Sequence, residues 1–313
     1  MKIALNTSGL GENADLSEFE KLGEIIYFEE VEREELLRIV SDCDALLVNK
    51  VIVDEALLSA CPKLKYVGVF ATGYNVVDTV ACRERGITVT NVPGYSTNPV
   101  AQHVFALLLN VLGAIDKYTS SVAAGDWIKS KSFTYTPYPT YELYGKTFGI
   151  YGYGNIGKAV AKIADAFGAK VIICTRTTPR DCPYPVVSKE EIFKNSDILS
   201  LHCPQTPATA NLINEQTLSR MKKNAYLINT ARGGLVDEKA LANALNSGAI
   251  AAACIDVISV EPMKRDNPLY GAKNCYITPH VAWTAQETRT RLIKIAAENL
   301  KAFLKGNPQN VVN

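Results

Sequence analysis

The sequence predicts an α/β protein with two doubly wound parallel sheets. Short β-branched runs alternate with amphipathic helical stretches, and this alternation restarts after a long apolar helix. The length of 313 residues is also sufficient for two domains with well-buried cores. No low-complexity linker separates the two halves, so the domain boundaries rest on the restart of the pattern.

The first alternation extends to about residue 92. Its strand-like runs are KIALN, DALLVN, KYVGVF and ITVTNV, and its helical stretches include EREELLRIV and VVDTVACRERG. This order predicts parallel strands joined by crossover helices. One long apolar helix, NPVAQHVFALLLNVLGAIDKYTSSVAA, is predicted next, because Thr97, Asn98 and Pro99 supply a cap and a first-turn proline.

The second alternation contains six candidate strands, at 147–152, 170–174, 197–203, 225–230, 252–257 and 275–279. Six strands in two sets of three match the count of a doubly wound dinucleotide-binding domain. The final stretch, TAQETRTRLIKIAAENLKAFLKG, predicts one amphipathic helix that ends at Gly306.

The composition excludes several classes of protein. A net charge of +1 and 21% charged residues give no basic surplus for nucleic acid, and no apolar run approaches the roughly 18 residues of a membrane helix. No C-x-x-C pair and no H-x-x-x-H spacing occur, so we expect no metal site. Most of the eight cysteines lie in apolar runs and the N-terminus lacks an export signal, so we expect a cytosolic protein.

A glycine motif follows the first strand of the second alternation. IYGYGNIGKAVAK contains G-x-G-x-x-G at Gly152, Gly154 and Gly157, between a strand and a helix. Such glycines make a tight turn, admit a pyrophosphate and allow the helix to pack closely. The alternative is a tight turn without a ligand, but the strand-helix context favours a Rossmann cofactor site. Its predicted contacts are Gly152, Tyr153, Gly154, Asn155, Ile156 and Gly157.

The acid that usually binds the ribose of NAD is missing about 20 residues further on. Thr175, Arg176 and Thr177 occupy that place. A guanidinium and two hydroxyls suit a 2′-phosphate, whereas a carboxylate would repel it. We therefore expect NADP(H), and the alternative is NAD(H) beside a solvated Arg176.

Three further polar residues follow successive strands of the second alternation: Arg232, Glu261 and His280. Singly, they could be a structural ion pair, a solvated loop residue and a capped core histidine. Together, at one edge of a dinucleotide sheet, they suit catalysis on a 2-hydroxy or 2-keto acid. The arginine would hold the carboxylate, the histidine would transfer a proton, and the glutamate would stabilise the imidazolium.

With these residues the chain resembles the D-isomer-specific 2-hydroxyacid dehydrogenases, in particular the glycerate dehydrogenase/hydroxypyruvate reductase branch. The matching segments include VFATGYNVVD, VPGYSTNPVAQHVFALLL, ELYGKTFGIYGYGNIGKAVA, LHCPQTPATANLIN, LINTARGGLVDEKAL, DVISVEP and TPHVAW. The resemblance implies catalytic roles for Arg232, Glu261 and His280. It implies further cofactor contacts from His202, Cys203, Pro204, Thr206, Thr230, Ala231 and Asp256. It implies substrate contacts from Ala71, Thr72, Gly73, Arg232, His280 and Trp283, and from Lys50, for which a solvated turn is an equal alternative.

The resemblance also implies a discontinuous architecture. Residues 1–97 and 284–313 would form a flavodoxin-like substrate domain, and residues 98–283 would form the Rossmann domain. The helix that starts near Asn98 would mediate a homodimer, with burial inside the monomer as the alternative. The one departure from the family is at Thr175–Thr177, where most relatives carry an acid, and it affects the choice of cofactor rather than the reaction.

The implied activity is hydride transfer from NADPH, or from NADH, to C2 of hydroxypyruvate or glyoxylate, giving D-glycerate or glycolate. Alternatives are a D-lactate or phenylpyruvate reductase and a short phosphoglycerate dehydrogenase. A dinucleotide-sensing protein of the corepressor type is a further alternative, because such relatives retain the arginine, glutamate and histidine. The lack of long extensions in this sequence favours an enzyme.

Overall fold

The computed structural model describes residues 1–12, 14–177 and 179–313. The chain divides into two units, one formed by Met1–Ser96 with Thr284–Asn313 and the other by Thr97–Trp283. We call them the terminal unit and the central unit. Each contains one parallel sheet, so the prediction of two doubly wound parallel sheets is confirmed. The roles of the two units, substrate binding and cofactor binding, stay predictions.

The terminal unit is built on a five-stranded parallel sheet in the order β2-β1-β3-β4-β5, the flavodoxin-like order. Its strands are β1 Lys2–Asn6, β2 Glu24–Phe28, β3 Ala45–Val48, β4 Tyr66–Val69 and β5 Thr88–Thr90. Its helices are α1 Ser17–Glu20, α2 Arg33–Val40, α3 Glu55–Ala60, α4 Thr79–Glu84 and α11 Gln286–Leu304. β3 and β4 are buried along their whole length, because helices cover both faces of a parallel sheet.

The C-terminal helix α11 completes the terminal unit although it is distant in sequence from the sheet. The ring of Phe303 lies 4.9 Å from that of Tyr66 in β4. Nδ2 of the buried Asn299 donates a hydrogen bond to the carbonyl of Asn91 at 2.9 Å. Gly306 follows the helix with φ +73°, so the predicted helix and its glycine end are confirmed.

The central unit is built on a six-stranded parallel sheet in the order β11-β10-β9-β8-β6-β7. Its strands are β6 Thr147–Tyr151, β7 Lys170–Cys174, β8 Ile198–Leu201, β9 Tyr226–Asn229, β10 Ala252–Ile255 and β11 Cys275–Ile277. Its helices are α5 Thr97–Gly113, α6 Ile115–Ala123, α7 Asn155–Ala166, α8 Lys189–Asn195, α9 Glu215–Leu218 and α10 Glu238–Ser247, with a 3-10 turn at Gly233–Leu235.

The six predicted strands are present, but their division into two sets of three is wrong. The third strand, β8, pairs with β6 and not with β7. The place beside β7 is taken by a single parallel bridge between Ile173 and Val186. Prolines at 179, 183 and 185 precede this bridge, and because proline lacks an N–H it limits how far a strand can extend.

The predicted long helix is also interrupted, because α5 and α6 meet at an angle of 58°. Ala114 between them is left-handed, with φ 49°. The carbonyl of Leu112 accepts the amide of Tyr141, and the amide of Asp116 donates to Oδ1 of Asn110, so the helical bond between residues 112 and 116 is replaced. No single helix in the described ranges is long and apolar enough to span a bilayer, whereas this bent pair reaches that length and composition together.

The strand register aligns the carboxyl ends of the central sheet. The paired residues are Tyr151 with Cys174 and Leu201, Leu201 with Asn229, Asn229 with Ile255, and Ile255 with Ile277. Segments that leave these positions therefore emerge at one edge of the sheet. The predicted site residues of the central unit all lie in the segments that follow these strand ends in the sequence.

Candidate active site

Two of the three motif glycines are required by the fold itself. Gly152 has φ +98°, and a Cβ there would lie 2.6 Å from the amide nitrogen of Cys203. A Cβ at Gly157 would lie 2.2 Å from the carbonyl oxygen of Gly152. The contact at Gly157 brings α7 close to the sheet, and the positive φ of Gly152 forms the tight turn before it, which are the roles expected of the third and first glycines.

Gly154 is different, because a Cβ there would meet no protein atom within 4 Å. Its φ of −79° is also open to any residue. It is the N-cap of α7, and no side chain caps the amides of the first turn. Free amides and the positive end of a helix dipole suit a phosphate, so the space at Gly154 fits the pyrophosphate of a dinucleotide.

The predicted 2′-phosphate site lies at the end of β7. Thr175 is half-buried, and Arg176 and Thr177 are exposed. Within the described residues, the guanidinium of Arg176 forms no ion pair with a carboxylate. Its charge is therefore available to an anionic ligand in a region open to solvent.

A cavity of about 320 Å³ adjoins the glycine loop. It is lined by Tyr153, by the cations Lys158, Lys162 and Arg180, and by one acid, Asp181. Nζ of Lys158 lies 5.8 Å from the centre of the Tyr153 ring. The excess of positive charge favours an anion on this side of α7.

The segments after β8 and β9 supply neutral groups. His202 bonds to Oγ of Ser200 through Nε2 at 2.8 Å, and burial lowers its pKa to about 3, so its ring is neutral near pH 7. Burial raises the pKa of the Cys203 thiol to about 11, which keeps it protonated. Oγ1 of Thr230 is buried without a hydrogen-bond partner in the described chain. Thr230 follows β9 as the glycine loop follows β6, and an unpartnered buried hydroxyl in this position suits a polar ligand.

The neighbouring turn is fixed by side chains around 204–209. Oγ1 of Thr209 donates to the carbonyl of Pro204 at 2.7 Å and accepts the amide of Thr206 at 2.8 Å. The predicted cofactor contacts at Pro204 and Thr206 therefore lie in an ordered turn.

Arg232 is exposed and its loop is held by a buried asparagine. Asn229 accepts the amide of Ala231 at 3.1 Å and donates to the carbonyl of Arg232 at 2.9 Å. The next residue, Gly233, packs against the segment after β10, since a Cβ there would lie 1.9 Å from the carbonyl carbon of Ile258. The arginine loop and the loop that leads to the glutamate are thus in contact.

Glu261 and His280 form a direct pair. Oε2 of Glu261 lies 2.7 Å from Nδ1 of His280, and Oε1 accepts the amide of Ile258 at 3.3 Å. The two side chains are 25% and 28% exposed, so the ring stays accessible to a small molecule. Because Nδ1 faces the carboxylate, Nε2 is the ring nitrogen that can meet a substrate.

Asp256 holds the backbone around His280. It is 1% exposed, and it accepts Oγ1 of Thr278 at 2.6 Å and the amides of Val281 and Ala282 at 2.9 and 3.0 Å. Its own carbonyl accepts the amide of His280 at 2.8 Å. Burial raises the pKa of the Asp256 carboxyl, but hydrogen bonds from His103, Thr278 and the two amides outweigh it and hold that pKa below its usual value.

The predicted substrate residues of the terminal unit lie at the carboxyl edge of its own sheet. Lys50 follows β3 and the loop Ala71, Thr72 and Gly73 follows β4. Oγ1 of Thr72 donates to the carbonyl of Val92 at 2.9 Å, which orders the loop. Their contact with substrate stays a prediction, as does that of Trp283, the last residue of the central unit.

Sequence reasoning missed the residues that hold the three candidate catalytic side chains. These are Asn229 for Arg232, Glu238 for the loop of Glu261, and Thr278 for His280. Asp256, expected from the sequence only as a cofactor contact, also holds the backbone of His280. Glu238 accepts the amide of Ser259 at 2.6 Å and Nδ2 of Asn267 at 2.9 Å. A polar residue at the buried end of an apolar strand, as at Asn229, is the signal that could have indicated them.

Comparison with known proteins shows which family the chain belongs to. A model of the family described as D-isomer specific 2-hydroxyacid dehydrogenase, NAD binding domain, matches residues 105–282. The chain is 42% identical over 307 residues to a hydroxypyruvate reductase of Blautia hydrogenotrophica, with 96% of this chain and 95% of that protein covered. It is 44% identical over 281 residues to a glycerate dehydrogenase of Methylorubrum extorquens, with 89% and 88% covered.

A solved structure of a reductase is also similar to this chain over almost its full length. An NADPH-dependent glyoxylate/hydroxypyruvate reductase from Sinorhizobium meliloti, in complex with NADP and malonate, matches with a TM-score of 0.84 at 30% identity, covering 99% of this chain and 96% of that one. The fold and these matches define the class of protein, an oxidoreductase that uses a nicotinamide cofactor. The chain belongs to the D-isomer-specific 2-hydroxyacid dehydrogenase family, and the resemblance seen in its motifs is confirmed.

Proposed function

We propose that this chain reduces the C2 carbonyl of hydroxypyruvate or glyoxylate to D-glycerate or glycolate, with NADPH as the preferred cofactor. The observation that carries the proposal is the 2.7 Å contact of His280 with Glu261, on a loop packed against that of Arg232. The curated relatives, a hydroxypyruvate reductase and a glycerate dehydrogenase, support this choice of substrate.

Each of the three side chains has one task in the reaction. The guanidinium of Arg232 binds the substrate carboxylate and polarises the neighbouring carbonyl. Nε2 of His280 donates the proton that the C2 oxygen takes up as it becomes a hydroxyl. Glu261 fixes the ring through Nδ1 and balances the charge of the protonated ring. When bound, the reduced nicotinamide supplies the hydride that C2 accepts.

The cofactor would be held by groups along the edge of the central sheet. The amides at the start of α7 would bind the pyrophosphate in the space at Gly154. The buried hydroxyl of Thr230 would form a hydrogen bond with the cofactor. Arg176 would bind the ribose 2′-phosphate. Two observations support this contact: no acid follows β7 directly, and the guanidinium of Arg176 forms no ion pair with a carboxylate of the described residues.

The choice of cofactor and substrate is tested first by initial rates. Oxidation of NADPH and of NADH is followed with hydroxypyruvate, glyoxylate, pyruvate and phenylpyruvate, one at a time. We expect the fastest turnover with NADPH and hydroxypyruvate or glyoxylate. A preference for pyruvate or phenylpyruvate would favour the lactate-type reductase, and no turnover with any pair would favour the dinucleotide sensor.

The 2′-phosphate contact is tested with Arg176→Ala. Loss of one charge-assisted hydrogen bond should raise KM for NADPH roughly 10- to 100-fold and leave KM for NADH nearly unchanged. Arg220→Ala, an exposed arginine elsewhere in the central unit, is the matched control. A wild-type preference for NADH, or an equal response of both cofactors to Arg176→Ala, would contradict the contact.

The proton donor is tested with His280→Gln. This variant should lower kcat by roughly two to four orders of magnitude while the dissociation constant of NADPH stays unchanged. Retention of most of the activity would refute the assignment of His280.

We also propose that the chain forms a homodimer through the central unit. α5 packs Val104 and Leu108 into the core, but the segment after it exposes apolar side chains, with Ile128 and Phe133 88% and 92% exposed. Light scattering after gel filtration should give twice the chain mass, and Ile128→Glu should yield monomers. Val80→Glu, an exposed site in the terminal unit, should leave the dimer intact, whereas a monomeric wild type would contradict the proposal.

The cellular compartment is a further part of the proposal, and we place the protein in the cytosol. All eight cysteines are free thiols, which is typical of a reducing compartment. Cell fractionation tests this directly, and recovery with secreted proteins would contradict it.

A further inference from the structure

A third histidine lies in a partly buried cluster that contacts the segment of His280. His103, in α5, places Nε2 2.9 Å from Oγ1 of Thr278 and 3.4 Å from Oδ1 of Asp256. Thr278 in turn lies 2.6 Å from the same Oδ1. A side chain from the first helix of the central unit thus contacts the carboxylate that orders residues 280–282.

The proton positions follow from the number of donors. The hydroxyl of Thr278 has one proton, and the carboxylate of Asp256 can only accept, so this proton goes to Oδ1. The oxygen of Thr278 must then accept a hydrogen bond from His103. This assigns the proton of His103 to Nε2 and makes the ring the first donor of a chain through Thr278 to Asp256.

We infer that His103 is a positioning residue for the reduction, acting through Thr278 and Asp256 on His280. Asp256 ties the amides of Val281 and Ala282 to the end of β10, and its carbonyl takes the amide of His280. Without His103, Thr278 loses the donor that orients its hydroxyl towards Asp256, and the carboxylate loses a ring nitrogen 3.4 Å away.

The backbone of His280 makes the loop sensitive to such a change. His280 adopts φ 55°, a left-handed backbone conformation that residues other than glycine rarely take. This conformation persists only because the surrounding hydrogen bonds hold it. A small shift of this residue moves Nε2 relative to the keto acid, and catalysis is sensitive to displacements near 1 Å. The inference rests on the proposed role of His280 as the proton donor.

The test uses two substitutions of one residue. His103→Leu removes the donor, and His103→Gln places an amide N–H near the position of Nε2. We expect His103→Leu to lower kcat roughly 10- to 100-fold with KM for the keto acid changed less than about threefold. His103→Gln should restore kcat to within about threefold of the wild type. Val104→Ala, which removes buried packing from the same helix, should leave kcat unchanged and serves as the control.

Amide hydrogen exchange provides a readout that is independent of turnover. His103→Leu should speed exchange in the segment that contains the amides of Val281 and Ala282, whereas His103→Gln and Val104→Ala should not. If His103→Leu proves unstable, Thr278→Val and Thr278→Ser apply the same contrast at the middle of the chain, with the loss expected for valine and near-normal activity for serine.

The possible failures are distinguishable. Wild-type kcat and exchange in His103→Leu, beside an inactive His280→Gln, would overturn the positioning role and leave the proposed function intact. Equal losses in His103→Leu and His103→Gln would also overturn it, because the effect would then not depend on a donor. Activity retained by His280→Gln would overturn the proposed function itself.

Discussion

Gly154 and Gly157 occupy the same motif, yet the structure predicts opposite effects of alanine at the two positions. A Cβ at Gly157 would lie 2.2 Å from a backbone oxygen, more than 1 Å inside the roughly 3.5 Å of an ordinary contact. Since a backbone atom cannot rotate away, Gly157→Ala should lower the free energy of unfolding by about 3 kcal/mol, the upper end of overpacking effects. Gly154→Ala meets no protein atom within 4 Å and should cost less than about 1 kcal/mol, the preference for glycine over alanine at an N-cap.

For binding of the cofactor, by contrast, Gly154 is the position where alanine has a large effect. A methyl group at Gly154 would stand where the pyrophosphate approaches the helix amides, so Gly154→Ala should weaken NADPH binding roughly 10- to 100-fold, equivalent to about 1.4 to 2.8 kcal/mol. Urea unfolding of the apoprotein and NADPH fluorescence titration measure the two effects separately. A destabilised Gly154→Ala, or one that binds NADPH normally, would refute the reasoning that this glycine serves the ligand.

Three further predictions concern groups that support the site. Asn229→Ala should raise KM for the keto acid more than it changes NADPH affinity, because two hydrogen bonds to the loop of Arg232 are lost; equal changes would contradict this. Glu238→Ala should lower kcat roughly tenfold by freeing the loop of Glu261, and Glu238→Gln, which keeps one acceptor, should lose less. His202 takes up a proton near pH 6.5 when unfolded but near pH 3 when folded, so its contribution to stability falls as the pH drops below about 6.5, by about 2 kcal/mol at pH 5. Urea unfolding at pH 7.5 and pH 5 should show this loss in the wild type and a smaller one in His202→Gln; identical losses would exclude His202 as its source.

Local patterns were sufficient for most of the fold. The period of apolar residues and the glycine turns located the six strands of the central sheet and helix α11, because both signals arise within a few residues of chain. The errors came where distant groups compete for backbone bonds. The long apolar helix breaks at Ala114 because Tyr141, far along the chain, takes the carbonyl of Leu112.

For the candidate site, the residue types could be predicted from the sequence: a glycine loop without a following acid, and an arginine, a glutamate and a histidine after successive strands. Only the folded structure shows which groups hold these side chains. It separated Gly154, which faces open space, from Gly157, which packs on backbone, and it brought His103 to Thr278 across 175 positions of sequence. Hydrogen bonds of such long range depend on how strands pair and how helices pack, and no local periodicity records which side chains those contacts will join.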